Sequence, residues 1–256
     1  MLSSDNLAEI LKLDHLPRSQ KYDHAWMIEN SMGPNAVWLT ESLTQVMEPR
    51  SGMRVLDMGC GRAMSSIFLA KEFGVHVWAT DLWVKPTDNW KRVQAQGLEN
   101  FVFPIAAEAH TLPFAQNFFD AVVSVDAYHY FGTDDLYLSY FAKFVKPGSQ
   151  IGIVMPGLVQ ELGDTLPEHL GSNWDIGWSS FHSPQWWRRH WEHSGAVDVS
   201  LADLIPDGWK LWLKWCEYGH LPGFVGTEAG RLETDRIRTD AGRTIGFTRI
   251  VAQKRQ

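Results

Sequence analysis

Residues 54–70 read RVLDMGCGRAMSSIFLA, from Arg54 to Ala70, and the order of these letters decides the fold. Val55 to Met58 is a short apolar run with the length of a buried strand. Gly59 and Gly61 follow, and glycine lets backbone turn sharply and approach a ligand with no side chain between. Met64 to Ala70 then reads as helix. Strand, glycine turn and helix form the outline of a nucleotide-binding loop, in which the helix start offers free N–H groups and a positive dipole end. A dinucleotide loop would place its third glycine at Met64, where the residue is bulky. Asp57 also stands on the turn. A carboxylate repels a pyrophosphate but attracts a cation, by roughly 4 kcal/mol at about 4 Å and an effective dielectric near 20. The turn therefore suits a cationic ligand without phosphate.

Outward from this stretch, strands and helices alternate. VHVWATD (75–81) is a strand ending in an acid, and PTDNWKRVQAQG (86–97) a helix. NFVFPIAAEA (100–109) and FDAVVSVDAYHYF (119–131) hold the next two strands, DDLYLSYFAKFVKPG (134–148) a helix, and SQIGIVMPG (149–157) a fifth strand. Such alternation predicts an α/β fold, a doubly wound, mostly parallel seven-stranded sheet. Residues 1–50 read as an N-terminal helical cap broken at SMGPN (31–35), and residues 51–156 as the ligand-binding core. Residues 157–242 hold a sixth strand, AVDVSLADL (196–204), among aromatic-rich lid helices. Residues 243–256 form a final antiparallel strand near the sheet edge. The whole reads as one domain.

Composition narrows the function. The chain has 256 residues, 45% hydrophobic and 21% charged, enough for a full core. Its formal charge of -7 and lack of a dense Lys/Arg run argue against a nucleic-acid partner. No apolar run is long enough to span a bilayer, and the N-terminus lacks the pattern of a signal peptide. With two cysteines, Cys60 and Cys216, a reducing cytoplasm is the expected setting. No His/Cys cluster has metal-ligand spacing, so no metal is expected.

Four motifs in order then resemble one family, the class I S-adenosylmethionine-dependent methyltransferases, in their small-molecule branch. VLDMGCGRA resembles the family's first motif, with Ala63 where its last glycine usually stands. VWATDLW is similar to the second, AAEAHTLPFAQNFFDAVVSVDAYHYF to the run from the adenine contact through the fourth strand, and FVKPGSQIGIVMP to the next helix stop and strand. The resemblance implies a Rossmann-like fold and S-adenosylmethionine as cofactor. It places Asp57 near the methionine amino group and Gly59, Cys60 and Gly61 beneath the methionine and ribose. It gives Asp81 the ribose hydroxyls and packs Leu82 on the adenine. Glu108 and Ala109 stand where the family usually has Asp-Ala and would meet the adenine edge. Asp126 would lie on the sulfonium side.

The acceptor is expected to be a small molecule, aromatic or cationic. His129 and Tyr128, just past the fourth strand, are candidates for base or substrate contact, because an unperturbed His titrates near neutral pH. His182, ahead of a lid helix, is a second candidate base. Eight of the 13 tryptophans fall between Trp174 and Trp215 and would line either the lid core or an aromatic acceptor pocket that includes Trp174. Met32, Asn35 and Trp38 are candidates from the cap. Each residue also has a plainer reading. Asp57 would cap a turn, Asp81 would start a helix, Glu108 would be a solvated loop acid, and Cys60 a small buried filler. The histidines, tryptophans and cap residues would pack or cap helices. Three rival functions remain open: a nicotinamide oxidoreductase, a donor-binding regulator without chemistry, and a cyclopropane-forming lipid enzyme. The last would need a basic amphipathic surface.

Overall fold

A computed structural model of the chain describes residues 4–171, 174–218 and 228–256. Parts of the expected cap (1–3) and of the expected lid region (172–173 and 219–227) lie outside these residues. The cap comprises α1 (Ser4–Leu11), a single 3-10 turn, α2 (His24–Asn30) and α3 (Ala36–Thr44). The break at 31–35 falls where it was expected.

The core follows as β1 (Arg54–Met58), α4 (Met64–Phe73), β2 (His76–Asp81), α5 (Pro86–Ala95), β3 (Val102–Ala106) and β4 (Phe119–Val125). Then come α6 (Tyr137–Phe141), β5 (Val145–Leu158), α7 (Pro184–His193), β6 (Val197–Leu204), α8 (Gly208–Tyr218), α9 (Glu228–Asp240) and β7 (Ile245–Lys254). Gly74, at a φ of 65°, closes α4, and Ser183 caps α7 by accepting from the Trp186 N–H. The expected helix over 134–148 is shorter. Its Pro147-Gly148 pair sits inside β5, where the ladder to β4 slips between Phe119 and Ala121.

The sheet has seven strands in the order β3-β2-β1-β4-β5-β7-β6. β1 to β5 run parallel, and β7 is antiparallel to both β5 and β6. The final strand is therefore internal, and the expected edge position belongs to β6. The residues of β7 from Ile245 to Ala252 are buried throughout, as in an internal strand.

Alternate strand residues feed opposite faces. Val55, Val123 and Val154 join the core under α3 and α4; Leu56, Val122 and Ile153 join the core under α6 and α7. Trp187 and Trp191, one turn apart on α7, are fully buried in the second core. Truncating either to Ala would cost about 3–5 kcal/mol. Strand order reverses between β1 and β4, and in open parallel sheets the ligand crevice lies at the carboxyl ends of the strands at that reversal.

Candidate functional site

At that reversal lies a cavity of about 340 Å³. Its walls come from the glycine turn after β1, the ends of β2 and β4, the loop after β3, and the cap segment between α2 and α3.

The glycine turn is held from below. The Gly59 and Cys60 N–H groups both donate to the Thr80 carbonyl, at 2.9 and 3.0 Å. Gly59 and Gly61 take φ values of 75° and 52°, the left-handed region that glycine enters without strain. Ala63 does the same at 62°, as the residue before α4. There an Ala costs about 1–2 kcal/mol, so a glycine would be the relaxed choice.

Asp81 ends β2 and turns its carboxylate into the turn. Oδ2 accepts from the Gly61 N–H and Oδ1 from the Trp83 and Val84 N–H groups, all at 2.8 Å. Three backbone donors fix the carboxylate on the cavity wall.

Asp57 is fully buried and does not reach the wall. Oδ2 accepts from the Ser65 and Ser66 hydroxyls at 2.6 Å each, and Oδ1 has no partner among the described residues. Burial pushes its pKa up to about 6, against the pull of the two hydroxyls. The start of α4 is thus already occupied by a carboxylate, where a dinucleotide would set its pyrophosphate. An orphaned acid oxygen beneath a glycine floor fits a cationic nucleoside and disfavours a phosphate.

Leu82, Glu108 and Ala109 line the same cavity. Glu108 folds back on its own loop, accepting from the His110 N–H at 2.9 Å and meeting the His110 ring at 2.7 Å, a hydrogen bond that lowers its pKa.

Asp126 follows β4 in a left-handed conformation, φ 56°, with its N–H donated to the Val154 carbonyl. Its side chain lies on the wall beneath the cap segment. A Cβ on Gly33 would meet Asp126 Oδ2 at 2.9 Å, so the approach requires glycine. No side-chain hydrogen bond or ion pair reaches this carboxylate among the described residues. Burial first, and then the charge of Glu233 on α9, hold its pKa well above the usual range. Tyr130, on the rim, is pushed up by burial and by these same two acids. Trp83 meets it edge-on at 5.7 Å, and the two rings are 70% and 62% exposed, free to cover a ligand.

The other acceptor candidates fall elsewhere. Tyr128 is fully buried in the second core among Phe131, Tyr137, Trp187 and Trp191, so the structure does not bring it to the cavity. His129 is buried against Phe181, off the wall, and burial lowers its pKa to about 4, leaving it neutral at neutral pH. His182 stacks on Trp186 at 3.7 Å and pairs with Glu161 in the lid. Asn35 caps α3, accepting from the Val37 and Trp38 N–H groups, and is 2% exposed. Trp38 packs edge-on against Trp215, and Trp174 against Trp178. Of the four cap and lid candidates only Met32 lines the cavity.

Sequence reasoning missed Asn30, Arg62, Asn89 and Arg92. Asn89 Nδ2 donates to the Gly61 carbonyl at 2.8 Å, and Arg92 Nε to Asn30 Oδ1 at 2.7 Å. These contacts join α5, the glycine turn and the cap across 28 and 62 residues of sequence, which no local pattern announces. Among the described residues no acidic, histidine or cysteine group is clustered to hold a metal, and no helix is long and apolar enough to cross a membrane.

Residues 55–148 match the model of a methyltransferase domain family. The glycine/sarcosine/dimethylglycine N-methyltransferase of Actinopolyspora halophila is 26% identical over 187 residues, 68% of this chain and 32% of that protein. Phosphoethanolamine N-methyltransferase 1 of Arabidopsis thaliana is 30% identical over 112 residues, 44% of this chain and 23% of that protein. The chain thus matches a third or less of either relative's length. Phosphoethanolamine N-methyltransferase 2 of Haemonchus contortus, solved with S-adenosyl-L-methionine, superposes with a TM-score of 0.71. That match has 18% identity and covers 100% of this chain and 61% of that one. At this identity the superposition shows the fold.

Proposed function

We propose that the chain is a class I S-adenosylmethionine-dependent methyltransferase, as the match of residues 55–148 to a methyltransferase domain family supports, and that it methylates the nitrogen of a small amine. S-adenosylmethionine, when bound, supplies a methyl group on a positively charged sulfur. The rest falls to this chain's residues. Asp81, fixed by three N–H groups, takes the ribose hydroxyls. Leu82 and Ala109 flank the adenine, with Glu108 at its edge. The Gly59–Gly61 backbone floors the methionine end, and the Asp57 charge, buried behind that floor, favours the amino group without touching it.

The observation that carries the amine assignment is the Asp126 carboxylate. It stands on the wall without a cationic partner, within the field of Glu233, and Tyr130 lines the same cavity. An ammonium supplies the missing partner and gains from the ring face. Asp126 then holds the acceptor and takes the proton that an amine must lose to attack. His129, neutral and off the wall, leaves that role to Asp126. In-line displacement rewards such positioning, and effective molarities of about 10⁵ M and above come from orientation alone. Both relatives described above are named as N-methyltransferases of small amines, which supports the reading.

The test is a titration of the S-adenosylhomocysteine complex with ethanolamine as the probe. Asp126→Asn keeps the left-handed backbone, which Asn tolerates, and removes the group's ability to ionise and to take a proton. The variant should bind ethanolamine at least about tenfold more weakly, as loss of a charged hydrogen bond implies. Equal affinity in both proteins would rule out Asp126 as the amine partner.

A further inference from the structure

Two guanidinium groups, Arg62 on the cavity wall and Arg92 behind Asn30 of that wall, lack an acidic partner. Arg62, one residue past the glycine turn, is on the wall, and its Nη1 donates to the Glu29 carbonyl at 2.7 Å. Arg92, on α5, donates from Nε to Asn30 Oδ1 at 2.7 Å and from Nη1 to Asn89 Oδ1 at 3.1 Å. All of these acceptors are neutral. Among the described residues no carboxylate lies within ion-pair distance of either guanidinium. Glu29 and Asp88 act on Arg92 only from farther away, and Asp88 is paired with Lys91.

The two cations feel each other: burial and the charge of Arg62 both lower the Arg92 pKa. Two like charges held together around a cavity are costly unless an anion shares them. Part of each fork is also unused. Arg62 Nε and Nη2, and Arg92 Nη2, make no hydrogen bond to a described residue. A guanidinium fork matches the oxygens of a carboxylate or phosphate. Asn30, buried on the same wall, holds Arg92 in place by accepting from it.

The geometry points to an anion subsite built by Arg62 and Arg92, taking a carboxylate or phosphate group of a ligand in the cavity. The assignment rests on the transferase reading above for what fills the cavity. Its chemistry fits two sources, the carboxylate of the donor's methionine portion and an anionic group on the acceptor. The same guanidiniums grip the last turn of α2, so a bound anion would tie the cap to the donor turn.

The test compares wild type, Arg62→Gln and Arg92→Gln, each checked for an unchanged melting temperature. Two probes are titrated into the free protein: S-adenosylhomocysteine, and S-adenosyl-3-thiopropylamine, which keeps the amine and lacks the carboxylate. Inorganic phosphate is titrated into the free protein and into the S-adenosylhomocysteine complex. If the anion is the donor's, both variants bind S-adenosylhomocysteine at least tenfold more weakly and bind the decarboxylated probe as wild type does. If it is the acceptor's, nucleoside affinities hold, while phosphate binds the wild-type complex and is lost in both variants. Should Arg92→Gln lower the melting temperature, Arg62→Gln alone decides, since Arg62 makes one hydrogen bond to a described residue. Equal losses for both nucleosides, or no change in any titration, would overturn the subsite. If wild type binds neither nucleoside, the transferase reading fails, and phosphate binding to the free protein still decides the subsite.

Discussion

Replacing Asp57 by Asn separates two roles of one carboxylate. Burial raises its pKa from 3.8 to about 6. At about 1.36 kcal/mol per pH unit, the ionised form costs the folded state close to 3 kcal/mol. The folded state holds this proton more tightly than the unfolded state does, so stability falls as pH rises from about 4 to 6 and then levels. About 1 kcal/mol of that cost is present at pH 4.5, and about 2 kcal/mol more arrives by pH 7.5. Asn does not titrate. The unfolding free energy of Asp57→Asn relative to wild type should therefore improve by about 2 kcal/mol between these two pH values. Any cost of an unpartnered Asn Nδ2 is the same at both and cancels. Urea unfolding followed by tryptophan fluorescence measures it. At pH 7.5 the variant should also bind S-adenosylhomocysteine more weakly, by about tenfold, having lost the buried negative charge behind the glycine floor. A stability difference that stays flat with pH, or moves against the variant as pH rises, would refute the assignment of a strained, functional carboxylate.

Ala63→Gly relaxes a left-handed residue at the start of α4 and should raise unfolding free energy by about 1 kcal/mol in the same assay. Asn35→Ala removes the cap of α3 and should cost about 1 kcal/mol of stability while leaving methyl transfer per folded molecule unchanged, measured as kcat after thermal stability is checked.

The sheet and the strand ends that meet at the cavity were legible because their signals are local. Gly59, Gly61 and Asp81 stand at strand ends, and β1 and β2 deliver them to one cavity, with Asp57 buried behind it. The acceptor side was not. Tyr128 and His129 lie two and three residues past Asp126, but the chain turns into a short 3-10 segment there and sends Tyr128 into the core behind the sheet. Asn35 looked like a binding residue and serves its own helix. The tryptophan cluster proved to be mainly lid packing, as with Trp178, Trp187, Trp191, Trp212 and Trp215, all buried. Arg62, Arg92 and Glu233 act through contacts between segments far apart in sequence, and neither charge nor periodicity pairs them in advance. The internal place of β7 belongs to the same class, since strand order is a property of the assembled sheet.

The central claim is methyl transfer to an amine held at Asp126. Its most direct test is incubation with S-adenosylmethionine labelled in the methyl group and a panel of small primary amines, alcohols and carboxylic acids. Label should appear as N-methyl product from at least one amine, with kcat/KM lowered at least about tenfold in Asp126→Asn and donor affinity retained. Label confined to oxygen acceptors, or amine methylation that proceeds unchanged in Asp126→Asn, would contradict the account.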